Sequence, residues 1–167
     1  MADRMKYLAL SLLLVSTSAA AAYDIKGVTL GATEKDVIRA LPSAHCKALE
    51  WESRAADRRC DDSRVSFGGV EVKVTFYLKK NVVEAFDLRF DTKEVERFVA
   101  FLKTRYGAPK SETRDEIKRE GKTARKVHKV LWEDGATRAV LVAQLEKGRA
   151  SMLVSRGTFD EEIYKVR

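Results

Sequence analysis

Val70-Glu71-Val72-Lys73-Val74-Thr75-Phe76-Tyr77-Leu78 alternates apolar and polar side chains without a break. A period of two is what an extended strand needs when one of its faces is buried and the other is wet. Val70, Val72, Val74, Phe76 and Leu78 make the inward set, and Glu71, Lys73, Thr75 and Tyr77 the outward one. Lys79-Lys80-Asn81 follows as a turn, and Phe86, Leu88 and Phe90 alternate with Asp87 and Arg89 in a partner strand. Gly68-Gly69 precedes the run as a turn leading into it, and is too short for a phosphate cradle.

Working outward, this strand pair is preceded by a helix. Thr33-Glu34-Lys35-Asp36 is a helix-capping sequence, Val37, Ile38 and Leu41 share one helical face, and Pro42 stops the helix. The same phrase then recurs. Asp91-Thr92-Lys93-Glu94 caps a second helix whose stripe is Val95, Phe98, Val99, Leu102 and Tyr106, ended by Gly107 and Pro109. A charged stretch from Lys110 to Lys126 leads to three more strands. These contain Val130 and Trp132, then Ala139, Leu141, Ala143 and Leu145 beyond the Asp134-Gly135 turn, then Met152 and Val154. A short tail, Phe159 to Val166, has helical character. Helix followed by meander, twice, predicts an α+β fold with the helices on one face of an antiparallel sheet and candidate pseudo-repeats at 28–90 and 91–156.

The first residues predict an address. Arg4 and Lys6 are followed by an apolar run, Tyr7 to Val15, and by Ala19 to Ala22, the layout of a secretory signal peptide spanning 1–22. No Cys follows the small residues, so a released periplasmic or secreted protein is expected, a single domain over 23–167. Losing Asp3, Arg4 and Lys6 turns 32 basic and 25 acidic residues into 30 and 24, a net charge of +6. Cys46 and Cys60, the only cysteines, are expected to bond in such a compartment. Closing a loop of about 15 residues would stabilise by roughly 3 kcal/mol.

Val28-Thr29-Leu30-Gly31-Ala32-Thr33, continuing through Asp36-Val37 to Leu41-Pro42, resembles a motif of small bacterial envelope proteins. These are the SmpA/OmlA family of outer-membrane-assembly lipoproteins and the tandem-repeat β-lactamase-inhibitor proteins. Tyr106-Gly107-Ala108-Pro109 resembles the helix ending of the same group. The resemblance implies helix-plus-sheet modules that bind other envelope proteins and catalyse nothing. The lipidated Cys of the assembly lipoproteins is absent here.

No catalytic constellation stands out. His45 and His128 are the only histidines, and His128 lies among Arg125, Lys126 and Lys129, surroundings that oppose a bound cation. Asp61-Asp62 and Glu133-Asp134 read as solvated or turn-forming, and Ser66, Ser151 and Ser155 lack a nucleophile elbow. No cofactor motif is read. The basic excess concentrates in Lys110, Arg114, Lys118, Arg119, Lys122, Arg125, Lys126 and Lys129, opposed by Glu112, Asp115, Glu116 and Glu120. That segment is either a solvated, salt-bridged loop or hairpin arm, or a contact for an anionic partner. Nucleic acid is not expected as a partner, because export removes it and stacking aromatics are not interleaved there. Trp51, inside the Cys loop, is a candidate interface anchor that could instead fold back onto the sheet.

The function expected from these features is that of a soluble periplasmic, non-catalytic binding protein. It would meet an envelope protein or an anionic envelope surface through an exposed sheet face or edge, with no integral membrane span. The alternative is a proteinaceous inhibitor of a secreted or periplasmic hydrolase, with Trp51 inserted into a cleft. A third is a small enzyme whose site leaves no sequence motif.

Overall fold

The computed structural model describes residues 22–165, the side chain of Arg119 excepted. The predicted signal peptide therefore lies, but for Ala22, outside the described residues. A two-stranded hairpin, β1 (Asp24–Ile25) and β2 (Val28–Thr29), leads into α1 (Glu34–Ala40). Then come β3 (His45–Ala48), β4 (Arg58–Phe67), β5 (Val70–Lys79) and β6 (Val82–Asp91). A 3-10 turn at Thr92–Glu94 opens α2 (Val95–Tyr106), followed by β7 (Ser111–Arg119), β8 (Lys122–Asp134), β9 (Thr137–Gln144) and β10 (Arg149–Arg156). A last short helix, α3, covers Phe159–Glu162.

The fold is α+β. Eight strands form one antiparallel sheet in the order β3-β4-β5-β6-β10-β9-β8-β7. Each half is a helix followed by a four-stranded meander, and the last strand of each meander meets the other at the centre. At that seam Phe86 faces Val154, Leu88 faces Met152 and Phe90 faces Ala150. Four of these side chains, Phe86, Leu88, Met152 and Val154, are at most 1 % exposed.

One face of the sheet takes the core. The even residues of β5, from Val70 to Leu78, point to it and are buried, as their alternation requires. Val37 of α1 and Phe98, Val99 and Leu102 of α2 close over the same face. Phe67, Phe90 and Phe101 surround Phe98, with ring centroids 4.5–6.2 Å apart. Burying each such side chain contributes about 1.5–3 kcal/mol. Trp132 is buried beside them, and its indole N–H donates to the Gly107 carbonyl at 3.0 Å. That bond ties the end of α2 to the sheet.

Local signals and tertiary structure agree at the helix starts. Thr33 and Asp36 form a reciprocal capping box, and the Asp91 carboxylate accepts from the Lys93 amide at 2.9 Å. Three expectations need correction. Ile38, placed with Val37 on the apolar face of α1, is 44 % exposed, because α1 has only two turns and presents Val37 and Leu41 to the core. The charged stretch Lys110–Lys126, placed ahead of the strands as a loop or hairpin arm, is itself strand: it contains β7 and the first part of β8, paired as a hairpin. The polar Cys segment likewise contains β3 and the start of β4. In both places ladder hydrogen bonds rather than side-chain burial make the strand, so alternation of hydrophobicity was never required.

Candidate functional site

Among the described residues, the opposite face of the sheet is covered at one end only. There Phe159 and Ile163 of the C-terminal segment pack with Ala56, Tyr77 and Ala85, joined by Leu49, Trp51 and Leu153. Cross-strand register sets the rest of this face. Lys73 lies opposite Arg89, Arg89 opposite Ser151, Ser151 opposite Val142, and Val142 opposite Lys129. The next row brings Asp91 against Arg149 and Arg149 against Gln144. Together with Lys147 and Gly148 of the turn before β10, these residues other than Lys129 line an open concavity of about 790 Å³.

Its charge is predominantly positive. Lys73, Arg89, Lys147 and Arg149 line it against Glu71 and Asp91. Arg89 is held by Asp87 at 2.8 Å. Among the described residues, Lys73, Lys147, Arg149 and neighbouring Lys129 form no ion pair with a carboxylate. Burial pushes the Asp87 carboxyl above its ordinary value despite the pull of Arg89. Beside the cations, Leu131, Val140, Val142 and Leu153 lie half-buried across β8, β9 and β10. An aliphatic strip bordered by cations without partners is suited to a ligand that is itself apolar and anionic.

The candidate residues read from the sequence, Lys129 excepted, fall elsewhere and are divided. Cys46 and Cys60 are directly opposite one another on β3 and β4 and form the disulfide. Glu34 lies near both sulfurs, but its carboxylate is taken by Arg58 at 2.7 and 3.0 Å, so the trio is not a set of metal ligands. Trp51 folds back onto the open face. Its indole N–H donates to the Ile163 carbonyl at 2.9 Å and its ring stacks on Tyr164 at 6.0 Å. It anchors its own chain's tail and does not project as a free interface residue.

The basic arm is not one patch. Arg114 and Lys118 share the helix-side face of β7 with Glu112 and Glu116, whereas Arg125 and Lys129 lie across from Ile117 and Thr113 on the open side. Arg114 meets Glu96 at 3.0 Å, and Lys110 pairs with Glu133. Lys118, Lys122, Arg125, Lys126 and Lys129 form no ion pair among the described residues. The Arg119 side chain lies outside the described residues. Of the predicted set, Lys129 is the one that joins the row containing Lys73 and Arg89.

His128 is 2 % exposed, with Nε2 2.8 Å from Glu112. Lys103 reaches the same carboxylate at 2.7 Å, and these two bonds hold Glu112 below the usual carboxylate range, Lys103 contributing most. This network braces α2 against β7 and β8. The concavity's own cations were missed because they come from separate strands. Outward positions in alternating strands are ordinarily solvated, and only the β5–β6–β10 register sets them side by side.

No protein-family model matches this chain, and neither does a curated protein or a solved structure. Function is therefore inferred from the chemistry of the face itself.

Proposed function

We propose that this is an exported, non-catalytic binding protein that docks an anionic envelope protein or envelope surface on the open face of its sheet. The observation that carries this reading is the half-exposed aliphatic strip of Leu131, Val140 and Val142, bordered by Lys73, Lys129 and Arg149. Apolar contact would supply affinity, and the cations would steer association and select against basic partners. Export is supported by the leader sequence and by the disulfide, which suits an oxidising compartment. Among the described residues no helix is long and apolar enough to cross a membrane. The inhibitor reading depended on Trp51 as a free anchor, and that indole is engaged with the C-terminal segment.

Binding of the disulfide-intact protein to envelope extracts and to anionic vesicles, compared with the Lys73→Glu/Arg149→Glu double variant, tests the proposal. Both side chains are on the wet face, so the variant should fold normally. Partners retained by the parent and lost by the variant would support it. Equal retention by both would overturn it.

A further inference from the structure

At one margin of the sheet β7 pairs only with β8 among the described residues, which leave its other edge open over nine residues. Long open edges invite pairing, and charges normally blunt them. Here the charges have an unusual order. On the helix-side face the strand carries Glu112, Arg114 and Glu116 by register and Lys118 by alternation, their signs alternating. We propose that this edge is a self-association surface, and that two copies of the chain pair β7 with β7 antiparallel about a two-fold axis at Asp115.

The geometry follows from symmetry. A two-fold axis perpendicular to the sheet reverses the strand direction and keeps both copies' helices on the same side. Residues opposite one another then have numbers summing to twice that of the residue on the axis. With Asp115 there, Glu112 faces the partner copy's Lys118, and Arg114 faces its Glu116. Each pairing occurs twice and every one is of opposite sign. Moving the axis by one residue slides the register by two and destroys this match. It sets Arg114 against Arg114, with Glu112 against Glu116, or else Glu116 against Glu116, with Arg114 against Lys118. Like charges directly opposite are unfavourable, which excludes these neighbouring registers. Moving the axis by two residues, to Thr113 or Ile117, restores opposite signs but pairs only five residues of the strand, whereas Asp115 is the midpoint of Ser111–Arg119 and pairs all nine.

Three further features fit. Glu116 and Lys118 form no ion pair within the described residues, although Arg114 and Glu112 do. The second copy would thus supply partners where the single chain has none. Ile117 is 46 % exposed in an otherwise polar strand, and in this register it packs across Thr113 of the other copy. Arg114 remains 61 % exposed while touching Glu96, so it can reach across the edge without breaking a buried contact. Main-chain hydrogen bonds would supply most of the affinity, as in strand addition generally. Two features oppose it: the Asp115 pair on the axis, and the engagement of Glu112 by Lys103 and His128, which leaves the inner Arg114–Glu116 pairs to carry most of the charge match.

Sedimentation of the full, disulfide-intact protein over a concentration series tests this. The parent should form dimers that weaken as salt rises, because exposed pairs are screened. Arg114→Glu and Glu116→Arg should each weaken dimerisation roughly tenfold or more, since two opposite-sign pairs become like-sign. An equimolar mixture of these two variants should dimerise again, as should the double variant R114E/E116R, because both restore opposite charges. Asp115→Asn should tighten the dimer. A parent that stays monomeric throughout would overturn the proposal. So would a dimer indifferent to the single reversals, or monomeric single variants that fail to pair when mixed. Circular dichroism of each variant separates lost pairing from lost folding.

Discussion

Gly68 turns the chain from β4 into β5 at φ +60°, and a Cβ there would stand 2.6 Å from the Phe101 Cγ. Gly69, at φ +73°, has open space around the same position. Both conformations disfavour an L side chain, but only Gly68 also meets a packed ring. Gly68→Ala should therefore destabilise by about 2–4 kcal/mol and Gly69→Ala by about 1 kcal/mol, read as midpoints of urea unfolding. Glu112 offers a second test. Lys103 first, then His128, lowers its folded pKa below the unfolded value. The stabilisation this represents is present above the unfolded value and is lost as pH falls through the folded one. Glu112→Gln should accordingly be less stable than the parent at neutral pH, and the gap should close on acidification below about pH 4. Equal pH slopes for parent and variant would show that the carboxylate charge is not used. At this scale the sequence was partly legible: the Gly-Gly turn and the Thr33 cap were visible, whereas the burial of His128 was not. Its neighbours Arg125, Lys126 and Lys129 spoke only against a bound cation, and it is alternation along β8 that turns it inward beneath α2.

Between the cysteines, the chain does more than close a loop. The Cys46–Cys60 bond joins facing positions of β3 and β4, and the segment it clips carries Trp51 and Ser53 onto the open face. Both hold the C-terminal segment: Trp51 donates to the Ile163 carbonyl, and the Ser53 hydroxyl approaches that of Glu162 at 3.4 Å. Reduction should cost roughly 3 kcal/mol and, at lower temperature, first loosen the tail. Thermal unfolding with and without reductant measures the former, and limited proteolysis after Phe159 the latter. A tail equally protected in reduced protein would separate the bond from the clip. Element by element, β5, β6, α1 and α2 were legible because each buries a periodic face. β3, β4 and β7 were not, since much of their length is polar and their strand character comes from partners distant in sequence.

On the scale of the whole molecule, the two meanders share one core through the β6–β10 seam. Leu88 sits fully buried at that seam, while Leu131 lies half-exposed on the opposite face. Leu88→Ala should cost about 3–5 kcal/mol in a single cooperative transition, and Leu131→Ala about 1 kcal/mol or less. Two separated transitions in the Leu88 variant would mean that the halves fold independently.

By itself, the sequence determined the α+β class, the helix boundaries, the main strand pair and the cysteine pairing partners, because local periodicity, caps and turns are written in adjacent residues. Tertiary structure alone decided where the charges meet. Lys73, Arg89 and Arg149 come together through β5–β6–β10 register, and Trp51 turns inward because a tail more than a hundred residues away receives it. The physical reason is the period of two: it tells each strand which side chains share a face, but only pairing tells the face which strands it contains.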